Sequence, residues 1–85
     1  MRNVEFEPLA LHQFAEWANE DRKMFNRIVK LITECARFPF QGTGKPEPLR
    51  GNMSGAWSRR IDQQHRLVYK VSVNAIVVIS CKFHY

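Results

Sequence analysis

The stretch from Trp57 to Val71, WSRRIDQQHRLVYKV, restricts the architecture more than any other part of the chain. Its residues alternate on both sides of Asp62-Gln63-Gln64-His65, a turn-forming run, so it reads as a β-hairpin. Trp57, Arg59 and Ile61 share one side of the first strand, and Ser58, Arg60 and Asp62 share the other. The second strand sets Leu67, Tyr69 and Val71 against Arg66, Val68 and Lys70. One side can enter a core while the other stays cationic, which suits a sheet packed on one face only.

The preceding half supplies the layer for that packed face. Arg2 to Phe6 alternates as a short strand, and Pro8 then opens a helix at a position where its missing N–H is harmless. Leu11, Phe14, Ala15 and Ala18 recur at helical spacing with Trp17 at the margin of the stripe, predicting a helix to about Asn19. A second helix starts near Asn19 to Asp21, with Met24, Phe25, Ile28, Val29, Leu31, Ile32 and Cys35 at intervals of three and four. So short a joint makes the two helices an antiparallel hairpin. Phe38-Pro39 ends the pattern. Beyond the charged hairpin, Ala75 to Cys81 is nearly continuous apolar sequence, as for a central strand. The expected fold is α+β: two N-terminal helices on one face of a small, twisted, mainly antiparallel sheet.

Between these halves lies QGTGKPEPLRGNMSG, residues 41 to 55, which has no periodicity and reads as a long loop. Its Gly-x-Gly-Lys piece does not make a phosphate loop, because Pro46 follows Lys45 where Ser or Thr is needed, and no strand leads in.

With 85 residues the chain has room for one two-layer core, so residues 1 to 85 are expected to form a single domain. Charge is distributed unevenly. Residues 1 to 36 hold five basic and six acidic side chains, and residues 37 to 85 hold eight and two, or −1 against +6. An electropositive second half fits a polyanion or an acidic protein as partner. Cys35 and Cys81 lack metal-ligand spacing, no cofactor motif is present, and no window approaches a membrane span of about 20 apolar residues. The expectation is a soluble cytoplasmic protein with reduced thiols, without metal, cofactor or membrane.

Three residues have the types needed for acid-base chemistry on RNA. Most loop carboxylates are simply solvated, but Glu47 stands between Pro46 and Pro48, which fix the backbone on both sides and suit it to act as a base. Arg66 lies on the cationic side, within reach of Arg59 or Arg60 depending on register; a guanidinium there can offset charge growing on a phosphate. His84 has the parity of Ser80 and Lys82, opposite Val77, Ile79, Cys81 and Phe83, and an imidazole can donate a proton near neutrality. Tyr85 can stack on a base or pack at the core edge. His12 and His65 read as helix-surface and turn residues. A base for the 2′-hydroxyl, a cation for the phosphorane and an acid for the 5′-oxygen make up a metal-free RNA cleavage site.

Four blocks of sequence resemble the YoeB/Txe type of bacterial toxin in the RelE superfamily, which are ribosome-dependent mRNA endonucleases. They are Pro39-Phe40 with Gly42-x-Gly44-Lys45-Pro46-Glu47-Pro48-Leu49, then Asn52-x-Ser54-Gly55-x-Trp57-Ser58-Arg59-Arg60-Ile61, then His65-Arg66-Leu67-Val68-Tyr69, and the closing Cys81-Lys82-Phe83-His84-Tyr85. The resemblance implies the RelE-like microbial RNase fold. It makes Glu47 the general base, Arg66 the phosphate-stabilising cation and His84 the general acid, with Tyr85 orienting the scissile nucleotide. Lys45, Arg50, Arg59 and Arg60 would contact mRNA or ribosomal RNA. Arg50 stands where the family often has Lys, and Phe83 where it often has Tyr. The implied partners are a cognate antitoxin, mRNA and the A site of the small ribosomal subunit, with homodimerisation known in the family. The alternative is a toxin or RNA-binding module of the same fold that acts by occupancy without cleaving.

Overall fold

The computed structural model describes residues 1–83. Strand β1 (Asn3–Phe6) leads into helices α1 (Pro8–Glu20) and α2 (Arg22–Arg37), and strands β2 (Glu47–Pro48), β3 (Ala56–Arg60), β4 (Arg66–Val71) and β5 (Ala75–Ser80) follow. They form one sheet in the order β1-β5-β4-β3-β2, antiparallel throughout except that β1 runs parallel to β5.

Local chemistry explains the helical hairpin. Pro8 occupies the first turn of α1, and the Asp21 N–H bonds to Trp17 O to close that helix. The same residue caps α2, its carboxylate accepting from Met24 N at 3.1 Å. One residue thus ends one helix and begins the next. The buried stripe of α1 differs from expectation: it is Ala10, Gln13 and Trp17, with Phe14 beside it, and Leu11 faces solvent. Gln13 is inside because its Oε1 accepts the Cys81 N–H at 2.7 Å beyond the end of the β5 ladder. Ile28, Leu31, Ile32, Cys35 and Ala36 of α2 pack with these residues on Leu67, Tyr69, Ile76 and Val78 of the sheet.

On the opposite face Leu49 and Met53 close over Ala56, Val68 and Ile79 as a second, smaller cluster. The expected long loop is therefore partly ordered by pairing. Glu47 stands opposite Ser58, and Leu49 N donates to Ala56 O at 2.9 Å. A register shift between Val68 and Tyr69 pairs them with Ser80 and Val78, so Ile79 is the extra residue of a bulge. Ile76 and Val78 face the helices before it, and Cys81 enters the core after it. Simple alternation from Val77 through Cys81 consequently fails, and with it the parity assigned to the residues beyond.

Arg59 ties the layers together. Its side chain has no solvent exposure, and its donors meet five acceptors. Nε reaches the Tyr69 hydroxyl at 3.1 Å, Nη1 reaches Glu34 Oε1 at 2.6 Å and Thr43 O at 3.2 Å, and Nη2 reaches Gln41 O at 2.9 Å and Phe38 O. A guanidinium has five N–H donors, so the buried cation is fully satisfied. Burial pushes the Tyr69 hydroxyl up to about 12, and as a neutral donor it bonds Pro39 O at 2.6 Å. Gly42 lies under this network with φ +122°, and a Cβ there would stand 2.1 Å from Glu34 Oε1. Gly44 has φ +87° and passes 2.8 Å from Arg60 O by the same measure. The Gly-x-Gly spacing thus serves close backbone approach.

The Thr43 N–H, followed by the Thr43 hydroxyl and the Arg59 side chain, holds the Glu34 carboxyl below its usual range against the opposing effect of burial. A depressed folded-state pKa stabilises above the unfolded value near 4.5 and ceases to do so as pH falls through the folded value. Glu34→Gln is expected to cost about 1–3 kcal/mol at pH 7. The gap between the two proteins should close in urea titrations carried out below the ordinary carboxylate range; a gap that stays constant across the series would contradict this ion-pair account.

Candidate active site

The network around Arg59 delivers the chain to the site. With residues 38 to 43 held from beneath, Gly44 O accepts Arg60 N at 2.7 Å, and Pro46 to Pro48 follow as the edge strand beside β3. The prolines suit an edge, where a missing N–H breaks no ladder bond. Glu47 pairs with Ser58, placing its side chain on the sheet face away from the helices, and Arg60 pairs with Arg66 one step along the same face. Arg66 Nη1 lies 3.9 Å from Glu47 Oε1, with side-chain exposures of 19% and 58%. That separation exceeds hydrogen-bond length, so the guanidinium fork remains open to an incoming anion. Arg60, Asp62, Gln63 and Arg66 line an adjoining cleft of about 440 Å³. Ser58 Oγ, buried in the same row as Glu47, has no hydrogen-bond partner among the described residues.

Among the cations expected to meet RNA, Lys45, Arg50 and Arg60 are exposed, and none has a carboxylate within 4.0 Å among the described residues. Arg59 is a correction. It is completely buried with every donor committed, so it can offer no phosphate contact; its role is to hold the loop that carries Glu47. His84 and Tyr85 lie outside the described residues, and the strand parity used to place His84 has lost its basis: β5 ends at Ser80, and Phe83 has φ +62°.

His65 closes the turn as expected, and it is also buried, at 8% exposure. Asp62 Oδ1 accepts from Gln64 N and His65 N at 2.8 and 2.7 Å, forming the turn, and the imidazole packs edge-on against Trp17 with centroids 4.9 Å apart. Its Nδ1 accepts Phe83 N at 2.7 Å, while Arg66 N donates to Phe83 O at 3.1 Å. The last described residue is thereby bound to the start of β4, beside Arg66. Upstream, Trp17 Nε1 donates to Cys81 O at 2.9 Å, and Lys82 Nζ lies 3.4 and 3.2 Å from Glu16 and Glu20.

A helical hairpin packed on one face of a five-stranded, mainly antiparallel sheet is the fold that this chain shares with a class of bacterial toxins of known structure. Within that class, residues 6–85 match the model of the YoeB-like toxin of bacterial type II toxin-antitoxin systems, and the chain belongs to that family. It is 49% identical over 85 residues to the toxin YoeB of Mycobacterium bovis, covering all of both chains. It superposes on the YoeB dimer structure from Staphylococcus aureus with a TM-score of 0.91 at 41% identity, covering 99% of this chain and 98% of that one. For the heterotetrameric YoeB-YefM toxin-antitoxin complex from Staphylococcus aureus the TM-score is 0.90 at 41% identity, covering 100% and 99%.

Arg60 and Arg59, adjacent in sequence, should behave oppositely on substitution. Arg60→Ala is expected to leave the unfolding free energy within about 0.5 kcal/mol of wild type, as for exposed positions. The same change should lower the salt dependence of binding to a single-stranded oligoribonucleotide by about one phosphate contact. Filter binding across a salt series, paired with urea unfolding, measures both; an unchanged salt slope would remove Arg60 from the interface.

Proposed function

We propose that this YoeB-family toxin is an mRNA interferase, an endoribonuclease that cleaves mRNA in the ribosomal A site and so stops translation. The observation that carries the reading is the open Glu47–Arg66 pair, 3.9 Å apart on an exposed cationic face. Glu47 takes the proton of a 2′-hydroxyl, whose oxygen attacks the adjacent phosphorus. Arg66 stabilises the charge on the pentacoordinate phosphate. The bond to the 5′-oxygen then breaks, and His84 supplies the proton that this leaving group needs. The products are a 2′,3′-cyclic phosphate and a 5′-hydroxyl end. Tyr85 orients the scissile nucleotide, and Lys45, Arg50 and Arg60 hold the RNA backbone through charge. DNA, without the 2′-hydroxyl, is inert in this scheme.

Residues 1 to 85 act in this reading as one toxin domain in the cytoplasm. Its partners are mRNA, the small ribosomal subunit and a cognate antitoxin, which would fold an acidic or amphipathic segment over the toxin. The YoeB-YefM complex and the YoeB dimer of the Staphylococcus aureus relative support an antitoxin partner and a homodimer for this chain as well.

Mapping the ends of a defined mRNA, incubated with the protein in the presence and absence of stalled ribosomes, tests the reaction. Cuts at the A-site codon should require the ribosome, and Glu47→Gln and His84→Gln should each slow cleavage about 10²–10⁴-fold, the usual range for a lost acid or base. Inhibited translation with intact mRNA would replace cleavage with occupancy.

A further inference from the structure

We infer that His65 is a positioning residue for the end of the chain: its Nδ1 holds the Phe83 peptide beside Arg66 and thereby sets where the following residue, His84, can deliver its proton. This inference rests on the proposed cleavage reaction and assigns a role to a residue that the reaction itself does not use.

The β5 ladder stops at Ser80, so the amides after it need other acceptors. Cys81 N finds Gln13 Oε1, and Phe83 N finds His65 Nδ1 at 2.7 Å. The Phe83 carbonyl is taken by Arg66 N at 3.1 Å. Both polar groups of one residue are therefore held by consecutive residues of β4 and its turn, one through a side chain and one through the backbone. An amide N–H can only donate, so Nδ1 bears no proton and the ring is in the tautomer protonated at Nε2. The imidazole cannot readily turn away. It lies at 89° to the Trp17 ring, and the backbone that carries it is fixed, the His65 backbone N–H donating to Asp62 Oδ1 at 2.7 Å and the His65 backbone oxygen accepting Ile61 N at 2.9 Å. Packing on Trp17 alone would be served by any flat apolar side chain. The acceptor at Nδ1, together with Arg66 N on the carbonyl, holds Phe83 at a φ of +62°, a conformation uncommon for an aromatic residue. Because general acids act through short, directed hydrogen bonds, a shift of about 1 Å in the carrying backbone can cost roughly 10²-fold in rate.

The test compares His65→Asn, whose Oδ1 falls near the place of Nδ1, with His65→Gln, whose amide reaches toward the place of Nε2. Single-turnover cleavage of A-site mRNA is measured for both, alone and combined with His84→Gln, with thermal unfolding and ribosome affinity recorded for each. We expect His65→Asn to stay within about fivefold of wild type and His65→Gln to fall roughly 10- to 100-fold at unchanged ribosome affinity. In the His84→Gln background the two should differ by less than about threefold, because the group they position is gone. Equal rates for the Asn and Gln variants, or a Gln defect that persists in full without His84, would overturn the inference while leaving the cleavage reading intact. Wild-type cleavage by His84→Gln alone would overturn both.

Discussion

The charge of Arg59, buried between helix α2 and the sheet, is the interaction on which the rest of the site depends. Its five acceptors come from α2, from the segment after α2 and from β4. Removing a buried ion from water costs several kcal/mol, and such a group persists only where its hydrogen bonds are complete. Here the acceptors are mostly backbone carbonyls of residues 38 to 43, a segment with no ladder of its own. The cation therefore organises chain that hydrophobic burial could not, since that segment offers the main core little apolar surface. Edge strand β2 and the Glu47 carboxylate follow from that fixed segment.

The two faces of the sheet divide the work. Against the helices, side chains are apolar apart from the satisfied Arg59 and its partners. The other face has a small apolar patch around Val68 and, at one end, Glu47, Arg60 and Arg66. Electrostatic asymmetry in sequence thus becomes a cationic surface in space, with one carboxylate inside it. Phosphoryl transfer without covalent chemistry on the protein needs such placement of charge more than it needs any unusual group.

The helical hairpin was legible because its signals are local: Pro8, Asp21 and a stripe at intervals of three and four. So was the β3–β4 hairpin, where alternation and the Asp62 turn agree. The bulge at Ile79 was not legible, because it is set by pairing with β4, and one extra residue reverses every parity after it. The parallel pairing of β1 with β5 is likewise a long-range choice. Arg59 is the instructive case. Alternation put it on one side with Trp57 and Ile61, whereas the family resemblance made it an RNA contact. The alternation was the better guide, since Arg59 is fully buried. His65 had no periodic signal at all, since its acceptor role depends on where residue 83 arrives.

The most direct test of this account asks what happens to the segment above Arg59 when its fork is removed but its charge is kept. Amide hydrogen exchange of Arg59→Lys, read at Thr43 and Arg60, follows the two bonds that anchor the segment, Thr43 N to Glu34 and Arg60 N to Gly44. The account predicts protection lost at these amides while those of α2 and β5 stay slow. Unchanged exchange there, accompanied by weakened binding to RNA, would return Arg59 to the substrate surface and contradict it.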